Sequence, residues 1–412
     1  MNRGELFRRH GLWLVFIAAA IFYFHRFSQH GEGMALYPFG GDCMLRQQAL
    51  NTCAPMFTYP PVFAFTMIPF ALVSDFVWNL GWYLITLGAT ILSYRLAEAL
   101  ARQLVPGPWP ERDLIHLRLI SLVLSLKFIL AVYENQAYDL FVLPAILCGL
   151  LCLTRGRDLA GGTSLAVAAA LKATPLLFLP YLLLRRRFAA ALAFTVVFLG
   201  ASFLPDLFFT QEGGGSYFVA WLRNIGAGAL NEGAANVNTG FFAGTNPLNH
   251  SIHGAVARLV DGTFLQADFP LVLHGVQLLF VVAVGLLLLR SARRPDTIPA
   301  EGALVLIAML MLSPMTSRSH YVSLLLPYTL LTAYWLRDRR TKGLGLALLA
   351  LSFLLATASS NDLVGSQVTR WAYHNNLIEL GALILIPYLA IVIWPRKDRA
   401  AAGELRQAIP SA

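Results

Sequence analysis

The chain has 412 residues, of which 57% are hydrophobic and 13% charged, with a mean hydropathy of +0.62 and a formal net charge of +9. Soluble domains carry roughly 25% charged residues, so this composition excludes a soluble globular fold, and the lack of period-2 alternation argues against a β-barrel. The basic excess would suit nucleic acid, but Lys and Arg fall in short runs between apolar segments, as in the cytoplasmic loops of a membrane protein.

Apolar runs recur along the whole chain, each near the roughly 20 residues that cross a bilayer as a helix. The first span is predicted over 11–27, running outward; it lacks a small-residue cleavage site and reads as an anchor. The stretch from Leu36 to Val73 follows on the outer side. It carries Asp42 after Gly40 and Gly41, then Arg46, then Tyr59-Pro60-Pro61 opening an apolar run over 60–73. That run reads as a helix at the outer interface, started by its prolines. Asp42 is the sole acidic residue between Gly33 and Ser74. A lone carboxylate at a membrane surface is a candidate general base; the alternative is a solvated loop aspartate capping the next helix. Cys43 and Cys53 share this loop. They form a disulfide or stay as two thiols, and spacing alone does not decide. Cys148 and Cys152, one helical turn apart in a later span, read as core residues.

A span over 76–94 follows, with Trp78, Trp82 and Tyr83 as an interfacial belt, then spans over 114–132 and 137–153. The segment 160–184 is flanked by basic residues on both sides, Arg155 and Arg157 before it and Arg185, Arg186 and Arg187 after it. A single crossing conflicts with that charge pattern. Its middle reads Leu171-Lys172-Ala173-Thr174-Pro175, and a proline there breaks the helix. Two half-helices entering and leaving on the cytoplasmic side are predicted. A span over 188–205, an outer segment over 206–270 rich in Gly and Asn, and spans near 271–290, 302–316, 320–336, 343–359 and 377–394 complete the chain. The predicted fold is an all-α polytopic membrane protein: about ten full spans, a broken re-entrant pair and interfacial helices. It forms one domain over 1–395, with a first outer loop over 28–75, both termini cytoplasmic and a tail over 396–412.

Polar residues cluster at the outer ends of these spans: Asp42 and Arg46; Glu134, Asn135, Gln136 and Asp139; Asn246, Asn249, His250 and His253; Ser317, Arg318, Ser319 and His320. The bilayer penalises such groups unless they line a cavity or pair. Arg318 with His320 suits a phosphate, unless His320 is a satisfied interfacial histidine. Lys172 meets an anion, or else sits in an ion pair or caps the carbonyls of its broken helix. Phosphate-binding glycine loops, a His-Glu-x-x-His helix and a Gly-x-Ser-x-Gly elbow are absent from the sequence. His250 and His253 have no carboxylate close in sequence, so no metal site and no cofactor are expected.

In order along the chain, these pieces resemble the family 87 glycosyltransferases, GT-C-fold enzymes that use polyprenol-phosphate mannose. Asp42 is followed by Tyr59-Pro60-Pro61; Ala160-Gly161 leads to Lys172-Ala173-Thr174-Pro175 and the basic run at Arg185; Asn249-His250-Ser251-Ile252 precedes Arg258; and Ser313-Pro314 is followed by His320. Glu134-Asn135-Gln136 departs from the family's Gly-Gln-x-Asn. Met315-Thr316-Ser317 departs from its His-Ser-Trp. The resemblance covers about residues 35 to 330. It implies a GT-C-like bundle in the bacterial inner membrane that moves a hexose, mannose first, from a polyprenyl-phosphate sugar to a lipid or glycan acceptor at the outer face. The transfer implied is a single displacement with inversion. Asp42 is then the general base, with Glu134 in reserve and Asp139 behind it. Arg318, His320 and Lys172 bind the donor phosphate. Tyr59, Asn135, Gln136, Asn249 and Ser251 bind acceptor or sugar, and a Cys43–Cys53 bond holds the Asp42 loop. The expected partners are the two substrates and membrane lipid, with no nucleic acid, and the expected state is a monomer. The competing reading is a transporter or lipid flippase, against which stands the lack of inverted repeats.

Overall fold

The computed structural model describes residues 21, 24–25, 36–226, 245–291, 294–338 and 341–394. The rest of the expected first span, the tail over 396–412, and Asn231, Asn236 and Asn238 of the long outer segment lie outside them. Among the described residues every regular element is helical. Four helices are long and apolar enough to cross a membrane: α3 (Asp75–Leu104), α4 (Glu111–Glu134), α10 (Phe269–Arg290), and α11 (Ile298–Leu312) with the turn before it. A fifth crossing arises if α13 (Lys342–Ser352), with the turn Phe353–Thr357, and α14 (Asn361–His374) are one span bent by 79°. The chain is therefore a multi-pass membrane protein, with fewer full-length spans among its described residues than the ten expected. The other apolar runs fold as shorter helices of 10–17 residues, because prolines and turns divide them.

Sequence dictates where these helices start and which face they bury. α3 opens with Asp75 and closes with Arg102, charges that complement the helix dipole at each end. Proline precedes or opens α2 (Pro61–Ala71), α4 and α11, where its missing N–H costs nothing. α11 and α12 (Leu325–Arg337) are buried on almost every side, with Leu304, Leu306, Ile307, Leu326, Leu330 and Leu331 fully enclosed. α10 is the opposite case: Leu271, Leu278 and Leu279 are 74%, 64% and 71% exposed. An apolar helix bare on one face belongs against lipid.

The first outer segment is more ordered than a loop. α1 (Leu36–Leu45) packs on α2, and Asp42 lies inside α1 rather than capping a later helix. The contact is close because Gly40 and Gly41 carry no Cβ: one at Gly41 would meet the backbone of Met67 and Ile68, and one at Gly40 the ring of Phe57. Cys43 and Cys53 are disulfide-bonded, tying α1 to the single turn Leu50–Cys53. Trp78, Trp82 and Tyr83 do not form an interfacial belt. They are 3%, 0% and 6% exposed: Phe70 covers Trp78, Tyr37 and Phe141 cover Trp82, and Phe24 and Tyr133 cover Tyr83. Cys148 is exposed rather than in the core, so it faces away from the bundle.

The predicted break at Lys172 is present. α6 (Asp158–Leu171) ends where Lys172 turns extended, a short 3-10 turn follows, and α7 (Phe178–Leu184) continues. Both ends of this pair lie on one side. Asp158, opening α6, is bonded to Arg187, which follows α7, at 2.8 Å. Arg185 is buried against Glu301 at 3.1 Å. α8 (Phe188–Phe203) then runs parallel to α6, and a Cβ at Gly162 would collide with the Ala190 carbonyl. α5 (Asp139–Thr154) runs antiparallel to α6, with Gly149 against Gly161 and Leu165. The tip of the hairpin therefore reaches the start of α5.

Candidate functional site

At that tip, Lys172 Nζ is 2.5 Å from Asp139 Oδ1, and both side chains are about nine-tenths buried. Burying two charges costs several kcal/mol each unless they pair and find further polar contacts. Lys172 Nζ also lies 5.2 Å from the centroid of the Tyr138 ring, a cation–π contact. His320 faces the pair across a cavity of about 30 Å³ lined also by Thr174, Thr316 and Ser323. That is room for a water or two. His320 belongs to a 3-10 turn, Arg318–Leu324, that begins after Ser313-Pro314. The Ser317 backbone N–H donates to His320 Nδ1 at 3.3 Å, and the Ser317 hydroxyl lies 2.8 Å from it. A backbone amide only donates, so Nδ1 accepts and the neutral ring carries its proton on Nε2. His320 thus presents an N–H on the edge turned away from its own turn.

Aromatic rings pack beside Lys172 and Asp139, outside the lining of this cavity, and touch the pair through Tyr138. Tyr138 stacks on Phe63 with centroids 4.5 Å apart, and Tyr59 meets Tyr138 edge-on at 4.7 Å. Tyr37 of α1 packs between Tyr59 and Trp82, at 5.7 and 5.3 Å. Burial pushes the Tyr59 phenol up to about 12, which keeps it a neutral hydrogen-bonding group. The Trp82 indole N–H donates to the Gln136 carbonyl at 3.0 Å, fixing the turn from α4 into α5 on which Tyr138 and Asp139 stand. Gln136 takes a left-handed conformation in that turn (φ 51°).

Asp42 is placed apart from this pocket's lining. Its carboxylate is about one-third exposed and bonded to Arg46, one turn on, at 2.8 Å. It lies five residues past Tyr37, roughly 7–8 Å along the helix. Glu134 and Asn135 are exposed at the end of α4, whereas Gln136 is buried. Arg318 is turned away from His320: its guanidinium reaches the Tyr373 hydroxyl at 3.4 Å and lies 5.9 Å from that ring. Asn249 and Ser251 are fully buried. Asn249 Nδ2 donates to the Pro314 carbonyl and its Oδ1 accepts from the Ser251 hydroxyl and the Thr316 N–H. These two residues anchor the loop that aims His320. His250 is buried against Glu379 at 3.2 Å, and burial pulls its imidazole down, keeping it neutral. Arg258 of α9 (Ile252–Val260) binds the same carboxylate at 2.9 Å.

The structure thus joins Lys172, His320 and Tyr59, all singled out by sequence, and adds Asp139, ranked behind Asp42 and Glu134. The missed signal was charge. A lysine inside one apolar run and an aspartate opening another each need an opposite partner in a membrane. Among the described residues no cluster of His, Cys, Asp and Glu has a metal-binding arrangement.

The model of glycosyltransferase family 87 matches residues 57–314 of this chain. A polyprenol-phosphate-mannose-dependent alpha-(1-2)-phosphatidylinositol mannoside mannosyltransferase of Mycolicibacterium smegmatis is 28% identical over 300 residues, covering 69% of this chain and 63% of the relative. The chain therefore spans somewhat under two thirds of that relative's length. No solved structure matches.

Proposed function

The chain belongs to glycosyltransferase family 87, and from that premise and the geometry we propose that it transfers a hexose, most simply mannose, from a polyprenyl-phosphate sugar to a lipid or glycan acceptor. The buried meeting of Lys172 and His320 at the hairpin tip carries this reading. A polyprenyl phosphate leaving group develops charge on its oxygens, and an ammonium with an oriented imidazole N–H in a dry pocket stabilises such charge. The incoming phosphate takes the place at Lys172 that the Asp139 carboxylate holds. The cavity is small, so Asp139 shifts aside as the phosphate enters.

The reaction is one displacement. The acceptor oxygen attacks the anomeric carbon, the bond from that carbon to the phosphate oxygen breaks, and polyprenyl phosphate departs with the electron pair. The acceptor proton passes to a carboxylate. Asp42 is assigned this role: its side chain is reachable, and it stands on a helix fixed by a disulfide and by glycine contacts to α2. Glu134 stands in reserve. Tyr59, only partly buried, contacts the sugar ring, with Tyr138 packed behind it, and Asn135 and Gln136 lie on the adjacent α4–α5 turn. Asn249 and Ser251 act indirectly, through the His320 loop. Arg318 serves a second anionic group, outside the Lys172 pocket. The site faces the exterior of a bacterial inner membrane, with the basic loops in the cytoplasm.

Transfer of radiolabelled mannose from polyprenyl-phosphate mannose to a lipid extract tests this, with purified wild type beside Asp42→Asn. Transfer by wild type alone, with donor binding kept in the variant, supports both the reaction and the base. Equal transfer by both removes Asp42 and moves the role to Glu134. Movement of intact donor across the membrane without transfer supports a flippase instead.

A further inference from the structure

A much larger cavity than the one at the hairpin tip lies elsewhere among the described residues. It is a cleft of about 490 Å³ between α3 and α4, floored by Thr329 of α12. That lies within the roughly 300–1,000 Å³ usual for ligand pockets. It extends from Tyr83 and Tyr133 at one end to Arg95, Glu98 and Arg118 at the other. Arg118 and Tyr133 are fifteen residues apart on one helix, so the cleft is about 22 Å long at ~1.5 Å per residue. Its sides are mostly apolar: Leu87, Ile91, Leu119, Leu122 and Ile129 among them. α3 and α4 run antiparallel from their link at 105–110, so the basic end lies away from Asp139 and Lys172.

Three layers succeed one another along this cleft. At the basic mouth, Glu98 is held by Arg102 at 2.5 Å and by Arg118 at 2.8 Å. Glu111 is the other carboxylate acting on Arg118. Arg95 is exposed and has no ion-pair partner among the described residues, so it supplies the excess positive charge. About one turn deeper are two hydroxyls without hydrogen-bond partners, Tyr94 Oη and Ser121 Oγ, and Ser121 is 1% exposed. A buried hydroxyl left without a partner costs about 1–3 kcal/mol, so both call for an acceptor oxygen. Beyond them the cleft is mostly apolar as far as the two tyrosines, with the Thr90 hydroxyl bonded to that of Tyr133.

We propose that this cleft binds a phospholipid with an anionic headgroup, taken from the membrane leaflet opposite the sugar-transfer site. The phosphate sits at Arg95 and Arg118, the glycerol ester carbonyls accept from Tyr94 and Ser121, and one acyl chain lies along Leu87, Ile91, Leu122 and Ile129. The ester layer favours a glycerophospholipid over an isoprenoid chain, which has no carbonyl for these hydroxyls. The proposal stands whatever reaction the hairpin tip performs, because its readout is lipid binding alone.

The test is native mass spectrometry of the full chain in detergent, titrated with phosphatidylglycerol or phosphatidylcholine of identical chains. Phosphatidylglycerol is expected to bind more tightly. Arg95→Gln weakens it about fivefold, the equivalent of ~1 kcal/mol per arginine at a membrane surface, and weakens phosphatidylcholine, whose quaternary ammonium already offsets its phosphate, by less, so the preference shrinks. Ser121→Leu, which fills the ester layer, removes both lipids. Arg95 is exposed and unpaired, so its variant folds and the headgroup test stands even where Ser121→Leu does not fold. Equal binding of the two lipids, or an unchanged preference in Arg95→Gln, overturns the proposal. Displacement of phosphatidylglycerol by polyprenyl phosphate overturns it too, assigning the cleft to an isoprenoid tail.

Discussion

Lys127 and Lys172 both interrupt apolar runs, and both end beside a broken helix, yet their surroundings differ. Lys127 Nζ donates to the carbonyls of Ala356 and Ser359, at 2.8 and 3.1 Å, and to the Ser359 hydroxyl at 3.0 Å. It fills the gap that the 79° bend between α13 and α14 opens in the backbone hydrogen bonds. Lys172 meets a carboxylate and an aromatic face, beside a cavity. A lysine used up on carbonyls of its own bundle holds shape. One held by a carboxylate can exchange that partner for another anion. The bilayer penalises both equally, so their presence in apolar runs does not separate the roles; their partners do.

The strongest way to break this contrast is to remove each ammonium in turn. In Lys172→Met, sugar transfer is expected to fall about 10²–10³-fold, the scale for losing one oriented electrostatic donor. Asp139, left alone, lowers stability by about 3–5 kcal/mol. Adding Asp139→Asn should restore the denaturation midpoint in micelles but not the transfer. Recovery of both would make Lys172 structural, like Lys127. Lys127→Met comes next. It strands two carbonyls, lowering stability by about 1–3 kcal/mol, while transfer per folded molecule stays near wild type. A large loss of turnover with an unchanged midpoint would erase the contrast from the other side. Arg46→Ala is the mildest case. Arg46 is 66% exposed in its pair with Asp42, and exposed pairs contribute about 0–1 kcal/mol, so the thermal midpoint should scarcely move. A drop as large as that of Lys172→Met would mean that Asp42 is held as firmly as Asp139.

Features with a local cause were legible in the sequence. Pro175 and the matched basic flanks marked the hairpin before its ends were seen to meet at Asp158 and Arg187. Cys43 and Cys53, ten residues apart, gave a correct pair of options and no choice between them. What was hidden depended on long-range contact. The Asp139–Lys172 pair joins residues 33 apart, and the Lys127 contacts join residues more than 220 apart. Arg318 and His320 look like one phosphate clamp on paper. They stand on a 3-10 turn of three residues per revolution, so two positions apart they face different neighbours, Tyr373 for one and the hairpin cavity for the other. Asn249 and Ser251 carried the polar signature of a ligand site, but their hydrogen bonds close on the Pro314–Thr316 loop.

The ion pair at the hairpin tip also sets a proton count. The pocket's own groups are one ammonium, one carboxylate and an imidazole, and their formal charge is zero with that ring neutral. A polyprenyl phosphodiester brings one negative charge into a region that tolerates none unbalanced. Neutrality returns if one proton enters with it, on the imidazole or on the displaced carboxylate. On the proposed reading, donor capture and proton uptake are thus one equilibrium. Departure of the lipid phosphate should return that proton, so an indicator dye in weak buffer can follow each turnover without any label on the sugar.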